Sequence, residues 1–517
     1  MSAELTFLLG RAATGKSERI AKALKQIQDG GGRGILIVPE QYTYEAERAL
    51  ADALDGLLGV QVFSFQRLCE RILQLHGKTK PFLNAQGCRM VVRRAIDTKR
   101  EELKLFRYAS EQAGFAEEAL GIFQDCKRAG ISPDALDALI QKLPPELPLA
   151  EKLGDLSILY RETESYLAER YLSADDAVNA AVELLPESFV SGLPVFIDGV
   201  DRPSRQMLRL FETLLVNCSS VTVALRLDCE NGADDELFEP DRQTLSLLRQ
   251  AGERTGASIR EERLTKQVGA CNPLMRHIER NLFAYPERQF QGEAQSLTIF
   301  GASSRRAEAE SLAEAVQNRA REGVRYRDMA VIVSDLEAYA ALLHRSCAIR
   351  NIPIFLDRKR PLTGHAAVDA ALSAVRFAAN GYSPYDLLRY LKSGYAGCAE
   401  SDIEELELYL RRSGVRGNAL LKPLTRAKPP EGAERARAFI AEPLAELAKG
   451  LARATVSEQV RALYAFLQRI ELEQTLKVRA DELKQSGRVA EMEEHAQVWN
   501  QMMELFDQLD AILGGLK

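Results

Sequence analysis

Residues 5–17 of this 517-residue chain read LTFLLGRAATGKS, and no other stretch constrains the fold as strongly. An apolar run from Leu5 to Leu9 ends in Gly10, and after four more residues Gly15-Lys16-Ser17 opens a helical pattern. Strand, glycine loop and helix in that order are the context a G-x-x-x-x-G-K-[ST] phosphate loop requires. Gly10 and Gly15 admit backbone dihedrals and close approaches that a Cβ would block. The N–H groups of the loop Gly10, Arg11, Ala12, Ala13, Thr14 and Gly15, with the helix N-terminus, then point at phosphate oxygens. Lys16 supplies a mobile positive charge to the same oxygens, and Ser17 offers a hydroxyl to Mg²⁺. The expectation is an ATP–Mg²⁺ site built on Gly10 to Ser17.

Length alone predicts about three or four domains. At 46% hydrophobic and 27% charged residues the chain can bury large cores while remaining ordinary for a soluble protein. No stretch reaches the roughly 18 apolar residues of a membrane span, so no membrane partner is expected. The N-terminus runs straight into a strand, without the basic region and cleavage site of a secretory leader, and the expected location is cytoplasmic. The eight cysteines, at 69, 88, 126, 218, 229, 271, 347 and 398, show no C-x-x-C spacing, and the five histidines are scattered. That pattern disfavours a zinc or iron–sulfur site and fits reduced thiols. With net charge −6, nucleic acid would have to be held in a local groove.

The first 80 residues alternate. A helix from about Ser17 to Gln28 is followed by a buried strand, Gly34 to Pro39, a helix from Thr43 to Asp55 and a third strand, Val60 to Ser64. Another helix runs from Ser64 or Phe65 to about Leu75. This rhythm predicts a parallel, doubly wound sheet. Helical patterns dominate from Asn84 to Leu172, broken at Pro133 and at Pro144-Pro145-Glu146. Strands return at Pro194–Asp198 and Ser220–Leu225, with a helix, Ser204–Val216, between them. A second alternating block places strands at Leu297–Phe300, Met329–Val333 and Ile354–Leu356, and helices at Arg305–Arg321 and Leu336–Ile349. After about Ser383 the chain reads as helical, and its last helix, Trp499–Leu513, stops so near the end that the segment looks incomplete. The expected fold is α/β, with two RecA-like doubly wound parallel-sheet domains, each interrupted by a mainly helical insertion. Residues 1–83 and 185–290 would form the first, with insertion 84–184. Residues 291–383 would begin the second, with a truncated helical insertion at 384–517.

Phosphate-loop enzymes hold Mg²⁺ with a carboxylate on a nearby strand, usually followed by a glutamate that orients water. Val195-Phe196-Ile197-Asp198 has that form, and Asp198 is the expected metal-holding residue beside Ser17; a plain turn or helix cap is the alternative. Gly199 stands where the glutamate would be, and Asp201 is three positions on. Binding of ATP is therefore better supported than its hydrolysis, and no catalytic residue is assigned. Only nine residues precede Gly10, so adenine selectivity is either loose or supplied elsewhere. Two further segments fall at the carboxyl edge of the sheet, where such folds bind ligands. In Pro39-Glu40-Gln41-Tyr42-Thr43, Gln41 and Thr43 can bond base edges or phosphates, or Thr43 can cap the next helix. In Phe63-Ser64-Phe65-Gln66-Arg67, Phe65 can stack on a base while Arg67 pairs a phosphate. The alternative is that both phenylalanines are core, which is the expected place of Phe63.

Taken together, the phosphate loop, ILIVPEQYT and VFSFQRLCERIL resemble motifs I, Ia and Ib of UvrD-type superfamily 1 helicases. The wording is most similar to AddB-type subunits of bacterial AddAB helicase–nucleases. The similarity extends through LSILY near Leu156, FIDGV, DMAVIVSDLEAY and IPIFLD, in order over essentially the whole chain. The resemblance implies a degenerate helicase module, whose partner, an AddA-type subunit, is the ATP-driven translocase. It implies action on end-containing double-stranded DNA in break repair and recombination. The former strand-tracking surface would read a single-stranded Chi sequence, and Gln41, Thr43, Phe65 and Arg67 match it. Glu70 stands where relatives can carry an aromatic, so the sequence read is not carried over. The family's iron–sulfur cysteines, nuclease motifs and helicase motifs V and VI fall beyond residue 517, and Ser334-Asp335 replaces the motif IV arginine.

Two classes of function follow. One is a binding module, the helicase-like part of a helicase–nuclease subunit with weak or no motor activity. The other is an active stand-alone superfamily 1 ATPase or helicase, which Asp198-Gly199 argues against. A signalling ATPase unrelated to DNA is disfavoured by Phe65 and Arg67.

Overall fold

A computed structural model describes residues 4–77, 80–112, 114–144, 147–228, 235–268, 272–356, 361–426, 428–453 and 455–516. Cys229, Cys271, Asp357 of IPIFLD and Pro145-Glu146 lie outside the described residues. The chain forms two compact units, residues 1–292 with 455–457 and 506–517, and residues 293–454 with 458–505.

Six parallel strands organise the first unit: β1 (Glu4–Gly10), β2 (Gly34–Ile37), β3 (Val60–Phe63), β4 (Pro194–Asp198), β5 (Ser220–Arg226) and β6 (Ser258–Arg263), in spatial order β3-β2-β4-β5-β1-β6. Apolar residues face both ways because helices cover both faces, as parallel sheets require. On one face Leu8, Leu36, Phe196 and Ala224 meet Ile20 and Leu24 of α1 (Lys16–Asp29) and Leu50 and Leu54 of α2 (Thr43–Leu54). On the other, Phe7, Leu9, Ile37, Ile197 and Val223 pack with Leu68 and Ile72 of α3 (Phe65–Leu75).

The helical insertion supplies α4 (Ala85–Lys99), α5 (Phe115–Arg128), α6 (Pro133–Ile140), α7 (Pro148–Arg170) and α8 (Ala174–Leu184). Its irregular turn is fixed by the buried Asp155 of α7, which accepts the N–H groups of Lys104, Leu105 and Phe106 at 2.8–3.1 Å. The chain returns to the sheet through α9 (Arg205–Asn217) and α10 (Glu239–Thr255), whose Leu210, Leu214, Leu245 and Leu248 complete the second face. A short helix, α11 (Pro273–Asn281), follows β6.

The second unit is helical: α12 (Arg305–Arg321), α13 (Leu336–Ile349), α14 (Ala366–Ala379), α15 (Pro384–Leu391), α16 (Glu400–Ser413), α17 (Glu431–Leu451), α18 (Val456–Arg469) from Glu458 onward, α19 (Leu472–Gln485) and α20 (Val489–Leu513) as far as Leu505. The α/β class with helical insertions is what the molecule has, but a second sheet does not form among the described residues. Residues 297–300, 329–333 and 354–356 carry no strand ladder. A strand exists only through its pairing partner, and here Ile299, Ile332 and Phe355 are 87%, 95% and 89% exposed. The ordered core of this block is the α12–α13 pair, closed by Ala313, Cys347 and Ile352. No described helix is long and apolar enough to cross a membrane.

A histidine governs one helix start in this unit. Buried His365 caps α14 by accepting the Ala367 N–H on Nδ1 (3.2 Å), with the ring of His495 4.6 Å away. Burial chiefly, then His495 and Arg479, hold its pKa below the ordinary 6.5, against the opposing pull of Glu494. A depressed histidine contributes stability that is intact above its unfolded value and lost as pH falls below it. Thermal unfolding of this unit is therefore expected to shift downward between about pH 7 and pH 5. His365→Asn, which keeps an acceptor for the cap, should flatten that dependence.

Candidate nucleotide and nucleic-acid site

The phosphate loop has the backbone its sequence demands. Gly15 is the N-cap of α1 at φ 82°, and Ala13 also takes a positive φ of 57°. Gly10 is required for a different reason: a Cβ there would overlap the Thr14 hydroxyl and lie 2.6 Å from the Leu264 carbonyl. Leu264 belongs to the exit from β6, where its N–H bonds Leu9 O at 2.7 Å; four residues on, Val268 N–H bonds Ala13 O at 2.8 Å. Lys16 is buried, and its ammonium donates to the carbonyls of Gly10 and Arg11, both at 2.7 Å.

The Arg11 side chain has partners outside the loop. Its guanidinium turns away from the loop, 3.5 Å from Asp228 and 3.1 Å from Glu279, donates to the Glu279 carbonyl at 2.7 Å and lies over the Phe238 ring. Ala12 and Ala13 are exposed, and the Thr14 hydroxyl bonds Arg11 O within the loop.

Ser17 Oγ donates to Asp198 Oδ2 at 2.6 Å, bringing together the two residues expected to hold Mg²⁺. Between their strands lies only β5: Gly10 pairs with Arg226, and Asp198 with Ala224. Among the described residues there is no cluster of three or more His, Cys, Asp or Glu suited to a metal. A hydroxyl and one carboxylate nevertheless suit Mg²⁺, which completes its shell with phosphate oxygens and water. Gly199 is more than a missing glutamate. It sits at φ 95°, and a Cβ would lie 3.0 Å from Pro39 Cδ. Backbone geometry therefore disfavours a side chain at the place where a hydrolase positions its base.

Lys16 and Ser17 of the loop and Gln41 and Phe65 of the DNA candidates, read from sequence as separate groups, line one cavity of about 1030 Å³, whereas Thr43 and Arg67 do not. Its walls include Lys16, Ser17 and Asp198 together with Gln41, Tyr42 and Phe65. Gln41 is exposed and Phe65 is half-buried, its ring resting on the sheet core. Arg67 is exposed and pairs with Glu40 at 3.0 Å. Thr43 is buried, its hydroxyl bonded to Glu40 O at 2.9 Å; it lies inside α2 and is not its cap. Phe63 packs against Phe189 at the core, as expected. Sequence reading missed Arg226 and Asp241, which line the same cavity. Arg226 ends an otherwise apolar strand and Asp241 lies on a helix far along the chain, so no local pattern joins them.

These features define an α/β protein with a glycine loop of phosphate-binding form at the carboxyl edge of a parallel sheet. Residues 7–279 match the family described as ADDB, N-terminal, and the chain belongs to that family. It is 32% identical over 558 residues to the B-type subunit of the ATP-dependent helicase/deoxyribonuclease of Desulforudis audaxviator, covering 99% of this chain and 47% of that protein. The proteins of the same description from Geobacillus thermodenitrificans and Alkaliphilus oremlandii are 30% and 29% identical, over 99% and 98% of this chain and 48% and 47% of theirs. The chain thus spans about half the length of the curated relatives it matches.

Two substitutions test the site's architecture by thermal unfolding. Arg11→Ala removes the cation paired with Asp228 and Glu279 and should destabilise the first unit, by up to about 3–5 kcal/mol, the range for breaking a buried ion pair. Gly199→Glu should also destabilise, by roughly 1–3 kcal/mol for a side chain forced into a strained backbone region. A neutral result for both would mean that the loop is not held by these constraints.

Proposed function

We propose that this chain is the ATP–Mg²⁺-binding and single-stranded-DNA-binding, helicase-like part of a helicase–nuclease subunit acting in double-strand-break repair and recombination. The observation that carries the reading is the Ser17–Asp198 bond at 2.6 Å beside Lys16, in a cavity shared with Gln41 and Phe65. Motor activity of its own is weak or absent, because Gly199 cannot carry a base. The partner is an AddA-type subunit, the DNA is end-containing, and a Chi-type sequence is read on the single strand in the cytoplasm. We assign residues 291–383 to the opening part of a second RecA-like domain, although their apolar runs form no strand ladder among the described residues. Any iron–sulfur cluster belongs to a region outside these 517 residues.

Single-stranded DNA crosses the carboxyl edge past Gln41, stacks near Phe65 and places a phosphate at Arg67. Displacing Glu40 from Arg67 costs little, since exposed ion pairs are worth about 0–1 kcal/mol. Thr43 positions the segment through its bond to Glu40 rather than reading a base. An active stand-alone ATPase would be the second reading, but the conformation of Gly199 stands against it.

The experiment combines steady-state turnover with oligonucleotide binding. Lys16→Ala should abolish nucleotide binding, and the unaltered chain should hydrolyse ATP more slowly than about 1 per second, with or without DNA. In the reconstituted complex, Phe65→Ala should cost roughly 1–3 kcal/mol and erode sequence preference. Arg67→Ala should weaken all sequences alike and lower the salt slope by about 0.7. Turnover at ordinary helicase rates would contradict the weak-motor reading, and no effect of either DNA variant would return Phe65 and Arg67 to purely structural roles.

A further inference from the structure

The strand between the phosphate loop and the metal-holding aspartate ends in an arginine. Arg226 is the register partner of Gly10, and Ala224, two residues before it, is the partner of Asp198. Residues two apart on a strand share a face, and Ala224 packs with Ile20 and Leu24 of α1. Arg226 therefore falls on the α1 side of the sheet, the side from which Lys16 reaches the loop. The Gly10 carbonyl accepts both the Lys16 ammonium and, at 3.2 Å, the N–H of Leu227. Arg226 is exposed and lines the cavity together with Lys16, Ser17 and Asp198.

A carboxylate from another element faces this arginine. Asp241 of α10 lines the same cavity and is pushed up chiefly by burial, held down by Arg226, pushed up by Asp201 and held down by Lys16. Asp241 therefore feels both cations, and all four groups line the one cavity. Lys16 is held by the Gly10 and Arg11 carbonyls, and Arg226 is exposed where it lines the cavity, so phosphate oxygens entering there would meet both cations. A guanidinium suits that contact, because its planar fork matches phosphate oxygens in pairs.

We propose that Arg226 contacts the terminal phosphate of a bound nucleoside triphosphate and makes this site select triphosphate over diphosphate. It supplies, from the strand beside the phosphate loop, the cation that the Ser334-Asp335 segment does not offer. This rests on the reading of Gly10 to Ser17 as a nucleoside triphosphate site. Lys16 would hold phosphates common to ATP and ADP, whereas Arg226 would touch only the last one.

The test is calorimetric titration of the 517-residue chain with ADP and with the non-hydrolysable β,γ-imido analogue of ATP, both with Mg²⁺. The unaltered chain should bind the analogue more tightly than ADP. Arg226→Gln should weaken the analogue by roughly 10- to 100-fold, the range for losing one charged hydrogen bond, and leave ADP within about twofold. Unchanged ADP binding also shows that the variant is folded. Arg226→Lys, which keeps the charge but loses the fork, should fall between. Analogue affinity unaffected by Arg226→Gln, or equal weakening of both nucleotides, overturns the proposal while leaving the nucleotide site standing. Failure of the unaltered chain to bind either nucleotide overturns the site itself and the proposal with it.

Discussion

The buried Arg11 is the constraint on which the site depends. The glycine loop carries a cation in its second position, and the fold draws that charge away by pairing it with Asp228 and Glu279. Desolvating three charges is favourable only when their geometry and hydrogen bonds are good, and here the Glu279 carbonyl and the Phe238 ring complete the shell. The partner residues lie far along the chain, with Glu279 268 positions away. The exit from β6 adds two backbone bonds, to Leu9 and Ala13. The loop is therefore held by the exit from β6, by α11 and by the segment after β5.

With the loop fixed, the carboxyl edge of the sheet becomes a single working surface. Ser17, Asp198 and Lys16 line the cavity together with Gln41, Tyr42 and Phe65. Phe65 rests on the sheet core while opening onto the cavity, so a base stacked on it would alter the same space a nucleotide enters. The Arg67–Glu40 pair is exposed and exchanges cheaply, whereas the Thr43–Glu40 bond is partly buried and closes the turn before α2. Binding of the two ligands is expected to be coupled through this shared volume rather than through a distant relay.

Much of this was legible in the chain because its signals are local. The strand Pro194–Asp198 and the helices Arg305–Arg321 and Leu336–Ile349 fall where their apolar patterns place them. The strand β6 was not anticipated, since Ser-Ile-Arg-Glu-Glu-Arg is mostly charged and suits only an edge of the sheet. Gly10 and Gly199 were recognised as important, but the reasons are tertiary: the Leu264 carbonyl in one case and the Pro39 ring in the other. The segments at 297–300, 329–333 and 354–356 show the converse, since apolar runs can look like strands locally and still lack a partner to pair with. Arg226 and Asp241 became visible only when β5 and α10 placed them around Lys16.

The most direct measurement is the affinity of the chain for a single-stranded oligonucleotide with and without a saturating Mg²⁺–ATP analogue, paired with the reciprocal titration. If one cavity serves both ligands, the two affinities must change by the same factor, and a shift of about fivefold or more is expected. Two independent sites would leave both affinities unchanged, and that result would contradict the account.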